Sequence, residues 1–73
     1  MTMLDASGLR CPLPVLKARK ALRSMTPGEE LTVLATDPGA PNDFRAYCAT
    51  SGDALVSLTE ADGGCTVVIR KAG

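Results

Sequence analysis

Cys11-Pro12-Leu13-Pro14 is the stretch of this 73-residue chain that could do chemistry. A cysteine stands directly before two prolines, and the residues after Pro14 read as a helix. With Cys11 at the N-cap, Pro12 falls at the first helical position, where its fixed φ suits the turn. Pro14 falls at the third, where an N–H has no helical partner. Both prolines then stiffen the helix start. The thiol would sit at the positive end of the helix dipole, with the N–H groups of Leu13 and Val15 as candidate donors and Arg10 adding positive charge. Those conditions favour thiolate over thiol and predict a lowered pKa for Cys11.

The other residue types narrow the chemistry further. The chain has no histidine and only three cysteines, Cys11, Cys48 and Cys65, widely spaced. A Cys-His dyad is therefore excluded. A tetrahedral zinc site lacks its ligands, so no metal and no cofactor are expected. An odd count without CxxC is not a disulfide framework and points to free thiols in a reducing compartment. Cys48 comes four residues after Phe44 and reads as a core side chain. Cys65 alternates with Val67 and Ile69 on one side of a strand and reads the same way.

Net charge is zero, yet five of the eight basic residues lie between Arg10 and Arg23 with no acid among them. A local basic field lies just beyond Cys11. At about 100° per residue, Val15, Ala18, Ala21, Leu22 and Met25 form one apolar stripe. Leu13, Leu16, Lys17, Lys20 and Arg23 fall on the other sides. Beside a reactive cysteine they read as a docking patch for an acidic-rimmed partner. One tyrosine and one phenylalanine offer little stacking surface, so direct nucleic-acid binding is not expected.

Periodicity and turn residues give the elements that must position these side chains. Met1–Ala6 reads as a strand, Pro12–Met25 as a helix stopped by Thr26-Pro27-Gly28, and Glu30–Thr36 as a strand. Asn42–Thr50 reads as a second helix. Ala54–Thr59 and Cys65–Lys71 read as strands joined through an Asp62-Gly63-Gly64 hairpin turn. The β-α-β start makes a right-handed crossover between parallel strands, and the last two strands should pair antiparallel. The fold expected is an α/β two-layer sandwich, βαβαββ, with a four-stranded mixed sheet and two helices on one face, as one domain over residues 1–73. No apolar run is long enough to span a bilayer, so no membrane role is expected. The N-terminus lacks a basic, apolar leader, so the location expected is cytoplasmic.

LDASGLRCPLPVLKARKAL resembles the signature of the TusA/SirA-like sulfur carriers, with Cys11-Pro12-Leu13-Pro14 as their CPxP motif. The likeness continues through Met25–Glu29, Thr36-Asp37-Pro38, Phe44–Cys48 and Val68–Lys71. The resemblance implies the same βαβαββ sandwich. It implies that Cys11 takes a persulfide sulfur from a cysteine desulfurase or rhodanese-type donor and passes it to an acceptor protein. Relays of this kind serve tRNA thiouridine synthesis, molybdenum cofactor maturation or sulfur oxidation. The chain has no general base, so it would act as a stoichiometric carrier, turning over only with partners, and as a monomer. Two other readings compete: a redox-sensing thiol, and a regulatory or interaction module in which Cys11 is incidental.

Overall fold

A computed structural model describes residues 2–61 and 63–72. The elements run β1 (Thr2–Ala6), α1 (Leu13–Arg23), β2 (Glu30–Ala35), α2 (Ala40–Ser51), β3 (Ala54–Ala61) and β4 (Gly64–Arg70). They form one four-stranded sheet in the order β1-β2-β4-β3. β1 pairs with β2 in parallel, and β4 pairs antiparallel with both β2 and β3. The result is the expected open two-layer α/β sandwich of βαβαββ order. Met1, expected in the first strand, and Asp62, expected in the hairpin turn, lie outside the described residues.

The register explains the core. Leu31 stands opposite Ile69, Val33 opposite Val67 and Ala35 opposite Cys65. All six are buried, together with Ala6, and they meet Ala18, Leu22, Ala40, Phe44 and Cys48 from the helices. Strict alternation sends every second residue of β4 to this face. Burying side chains of this size stabilises by about 1.5–3 kcal/mol each. Val15, Ala21 and Met25 pack at the margin of the same cluster, so the predicted stripe of α1 does face the core.

Element boundaries depart from the sequence-based expectation in ways that backbone bonding explains. α1 starts at Leu13 and not at Pro12, because Pro12 itself is the N-cap. It ends at Arg23, where the Ser24 N–H turns back to the Ala21 carbonyl. Ala, Leu, Lys and Arg give α1 strong helix propensity, and Lys20 and Arg23 complement the dipole in its last turn. α2 starts two residues earlier than expected, at Ala40, since Gly39 is the N-cap and Pro41 is tolerated within the first turn. It ends on Gly52 at φ 86°, the left-handed conformation that glycine adopts without strain. β3 runs on to Ala61 and contains an irregularity between Leu55 and Ser57.

A polar tie secures the far end of α2. Asp53 is buried, and its carboxylate accepts the Tyr47 hydroxyl at 3.0 Å and the Ala72 N–H at 2.8 Å. Burial, and then the bond to Asp53, pushes the Tyr47 hydroxyl pKa up. Asp53→Ala strands two donors at once and is expected to cost about 1–3 kcal/mol. Urea unfolding monitored by circular dichroism measures it; an unchanged midpoint would contradict the tie.

Candidate functional site

Parallel pairing of β1 and β2 decides what surrounds Cys11. Ala6 ends β1 opposite Ala35 at the end of β2. Both chains therefore leave the sheet at the same edge, as parallel strands must. The two departing loops are joined where the Gly8 N–H donates to Thr36 Oγ1 at 2.8 Å. One loop carries Cys11 and the other leads through Asp37-Pro38-Gly39 into α2.

Cys11 is exposed. It lies one residue before the N-cap, not at it, a correction to the predicted placement. The Cys11–Pro12 peptide bond is cis. The Leu13 N–H, a candidate thiol donor, instead donates to the Arg10 carbonyl at 2.7 Å, and the Leu16 N–H donates to the Pro12 carbonyl at 3.1 Å. Pro14 is buried in the core and anchors the helix start. Arg10 is exposed and, among the described residues, its side chain makes no ion pair or hydrogen bond with the site.

The expected lowering of the Cys11 pKa is reversed. The Cys11 thiol donates a hydrogen bond to Asp43 Oδ2, from the first turn of α2. That bond, then desolvation, then the charges of Asp43 and Asp37 push the thiol up to about 11. The physical reason is that helix dipoles act within the first turn, while a carboxylate bonded to a thiol favours its neutral form. Gly39 packs here too: a Cβ at this position would lie 3.6 Å from Cys11 Cβ, 3.7 Å from Sγ and 3.0 Å from Asp37 Oδ2. Asp37 Oδ2 is already engaged by the Gly39 N–H at 2.8 Å.

The residue pattern singled out none of Asp37, Gly39 and Asp43 as site residues. Cys11 and Asp43 are 32 residues apart, and only the parallel pairing of the strands signals that their loops meet. Cys48 and Cys65 are buried, as expected of core side chains. Burial raises both thiols.

The predicted docking residues share one exposed region. Leu13 and Leu16 are 47% and 49% exposed, against full burial of Leu22 on the opposite side of α1. Lys17, Lys20 and Arg23 are exposed. Leu16, Lys20 and Arg23 line a shallow groove together with Arg19, which was not among the expected docking residues. The charge of Lys17 acts weakly on Asp5, whose pKa is lowered chiefly by its bonds to Ser7. Among the described residues, no group of His, Cys, Asp and Glu could hold a metal ion. Among the described residues, no helix is long and apolar enough to cross a membrane.

Residues 2–71 match the family described as Sulfurtransferase TusA. The chain belongs to the TusA family. Among relatives, the sulfur carrier protein TusA of Allochromatium vinosum is 46% identical over 69 residues, covering 94% of this chain and 91% of the relative. A Neisseria meningitidis protein, provisionally named a sulfur carrier, is 54% identical over 67 residues, covering 92% and 90%. The crystal structure of a SirA-like protein from Desulfitobacterium hafniense superposes over the whole of both chains, with a TM-score of 0.84 and 29% identity. The resemblance carried by the CPxP stretch thus extends over most of this TusA-family chain, in sequence and in fold.

Proposed function

We propose that this chain is a sulfur carrier that takes a persulfide sulfur onto Cys11 and relays it to an acceptor protein. The observation that carries the reading is Cys11: the exposed thiol of the three, standing at the sheet edge before α1 in a TusA-family chain. The donor chemistry that fits is a protein persulfide, from a cysteine desulfurase or a rhodanese-type protein. Cys11 Sγ bonds to the sulfane sulfur, the donor S–S bond breaks, and the donor cysteine leaves as a thiol. One proton passes from Cys11 to the products, and no net oxidation occurs. Pro12, Leu13, Pro14 and Arg10 shape the turn that presents Sγ. Leu13, Leu16, Lys17, Lys20 and Arg23 form the surface on which partners dock. Acceptors in tRNA thiolation, molybdenum cofactor maturation or sulfur oxidation all use this chemistry. The unpaired cysteines fit the reducing cytoplasm, and a small monomer suits presentation to several partners in turn.

Incubation of the reduced protein with a cysteine desulfurase and cysteine is expected to add about 32 Da, one sulfur on the cysteine modification ladder. Cys11→Ser should show no addition. Equal gains in both proteins would overturn the reading.

A further inference from the structure

We propose that Asp43 is a positioning residue for Cys11: its carboxylate, offered from the first turn of α2, accepts the thiol hydrogen and latches the empty carrier's sulfur against that helix. The inference rests on the carrier reading above and adds a state-dependence to it.

Three observations converge. The Cys11 thiol donates to Asp43 Oδ2 across 32 residues of sequence. Asp43 is itself held, since it is half-buried and its N–H donates to the Gly39 carbonyl at 3.1 Å. Gly39 lines the space beside the sulfur: a Cβ there would touch Cys11 Cβ and Sγ at ordinary van der Waals distance, 3.6 and 3.7 Å. The other nearby carboxylate, Asp37, has one oxygen engaged by the Gly39 N–H. Asp43 has no cation and no other side-chain partner among the described residues. The charged groups acting on the thiol are Asp43 from α2 and Asp37 from the β2–α2 connection, both negative.

Loading opens this latch. A persulfide is more acidic than a thiol, and an ionised sulfur has no hydrogen to donate. It meets two carboxylates and is driven outwards. The empty carrier is thereby kept protonated and slow to react, while the loaded one presents its terminal sulfur to the acceptor.

The test is the pH profile of Cys11 alkylation, read on its own peptide, in the wild type, Asp43→Asn and Asp43→Glu. The wild-type midpoint is expected near 11. In Asp43→Asn it should fall by up to about two units. The thiolate fraction at neutral pH then rises by up to about 100-fold, and the lower nucleophilicity of a more acidic thiol takes back up to about tenfold. Alkylation at pH 7.5 should therefore run faster, by up to about ten times, and Asp43→Glu should keep the slow profile. Coincident wild-type and Asn profiles, or a Glu profile shifted as far as Asn, would overturn the proposal. A measurement without any change at position 43 guards against a folding artefact. The Asp43 carboxyl carbon resonance should inflect as Cys11 titrates, and Cys11→Ala should remove that inflection; a flat wild-type trace overturns the latch. Persulfide loading of the same wild-type preparation separates the two claims. A protein that loads while the profiles coincide loses only the latch. One that fails to load while the Asn profile shifts keeps the latch and loses the carrier reading.

Discussion

Phe44→Ala is expected to remove a large part of the folding free energy of this protein. Phe44 is the one phenylalanine of the chain and is fully buried between α2 and the sheet. Truncating a buried phenylalanine to alanine costs about 3–5 kcal/mol, the lost transfer energy plus the cavity left behind. At about 0.05–0.15 kcal/mol per residue, a chain of this length has about 4–11 kcal/mol to lose. With a urea slope of about 1–1.5 kcal/mol per molar, the midpoint should fall by about 2 M or more. Circular dichroism in urea measures it. A shift under about 0.5 M, by the same slope, would mean that α2 does not owe its place to this side chain. The consequence reaches the site, because Asp43 precedes Phe44 on α2. Loosening the helix should also free the Cys11 thiol and speed its alkylation.

Reversing the charge of α1 is expected to slow sulfur loading by about 10–100-fold at low salt without touching the thiol. Five basic residues lie between Arg10 and Arg23, unrelieved by any acid in that interval. Lys17, Lys20 and Arg23 are exposed on α1 beside Leu13 and Leu16. Fields of one sign on a surface raise association rates by about 10–1000-fold and fall steeply with ionic strength. The triple substitution Lys17→Glu, Lys20→Glu, Arg23→Glu should therefore lose both the rate and its salt dependence. Initial rates of persulfide loading across a salt series measure this, with Cys11 alkylation as the control for an intact thiol. Unchanged rates would place the partner surface elsewhere on the fold.

How much of this was legible in the sequence depends on whether the cause is local. The α1 stripe of Ala18 and Leu22, and the alternation of Cys65, Val67 and Ile69, are periodicities, and the structure buries those residues. Crossover handedness implied the parallel first pair. The start of α1 was misplaced by one residue because two prolines fit a first helical turn in either register; the Leu13 N–H bonding to Arg10 settles which one holds. The start of α2 is not fixed by capping residue types: Asn42 and Asp43 are good capping types, whereas Gly39 takes the cap.

The sign of the Cys11 pKa shift is not legible in the sequence for a different reason. Basic neighbours in sequence are not the neighbours in space: α1 points its cations along its own exposed face, and the β2–α2 connection and α2 bring Asp37 and Asp43 to the sulfur. The expected parallel pairing already implied that both loops leave one sheet edge. Nothing in the order of residues says which side chain of the second loop reaches the first.

The most direct measurement locates the transferred sulfur. The loaded protein, freed of donor and left unreduced, is cut with trypsin near neutral pH, and the digest is then quenched with acid. Cleavage after Arg10 and Lys17 isolates Cys11 in residues 11–17, whereas cleavage after Arg45 and Arg70 leaves Cys48 and Cys65 together in residues 46–70. The carrier reading expects the additional mass, about 32 Da for one sulfur, on the peptide of residues 11–17 alone. The same mass on residues 46–70, with 11–17 unmodified, would contradict it.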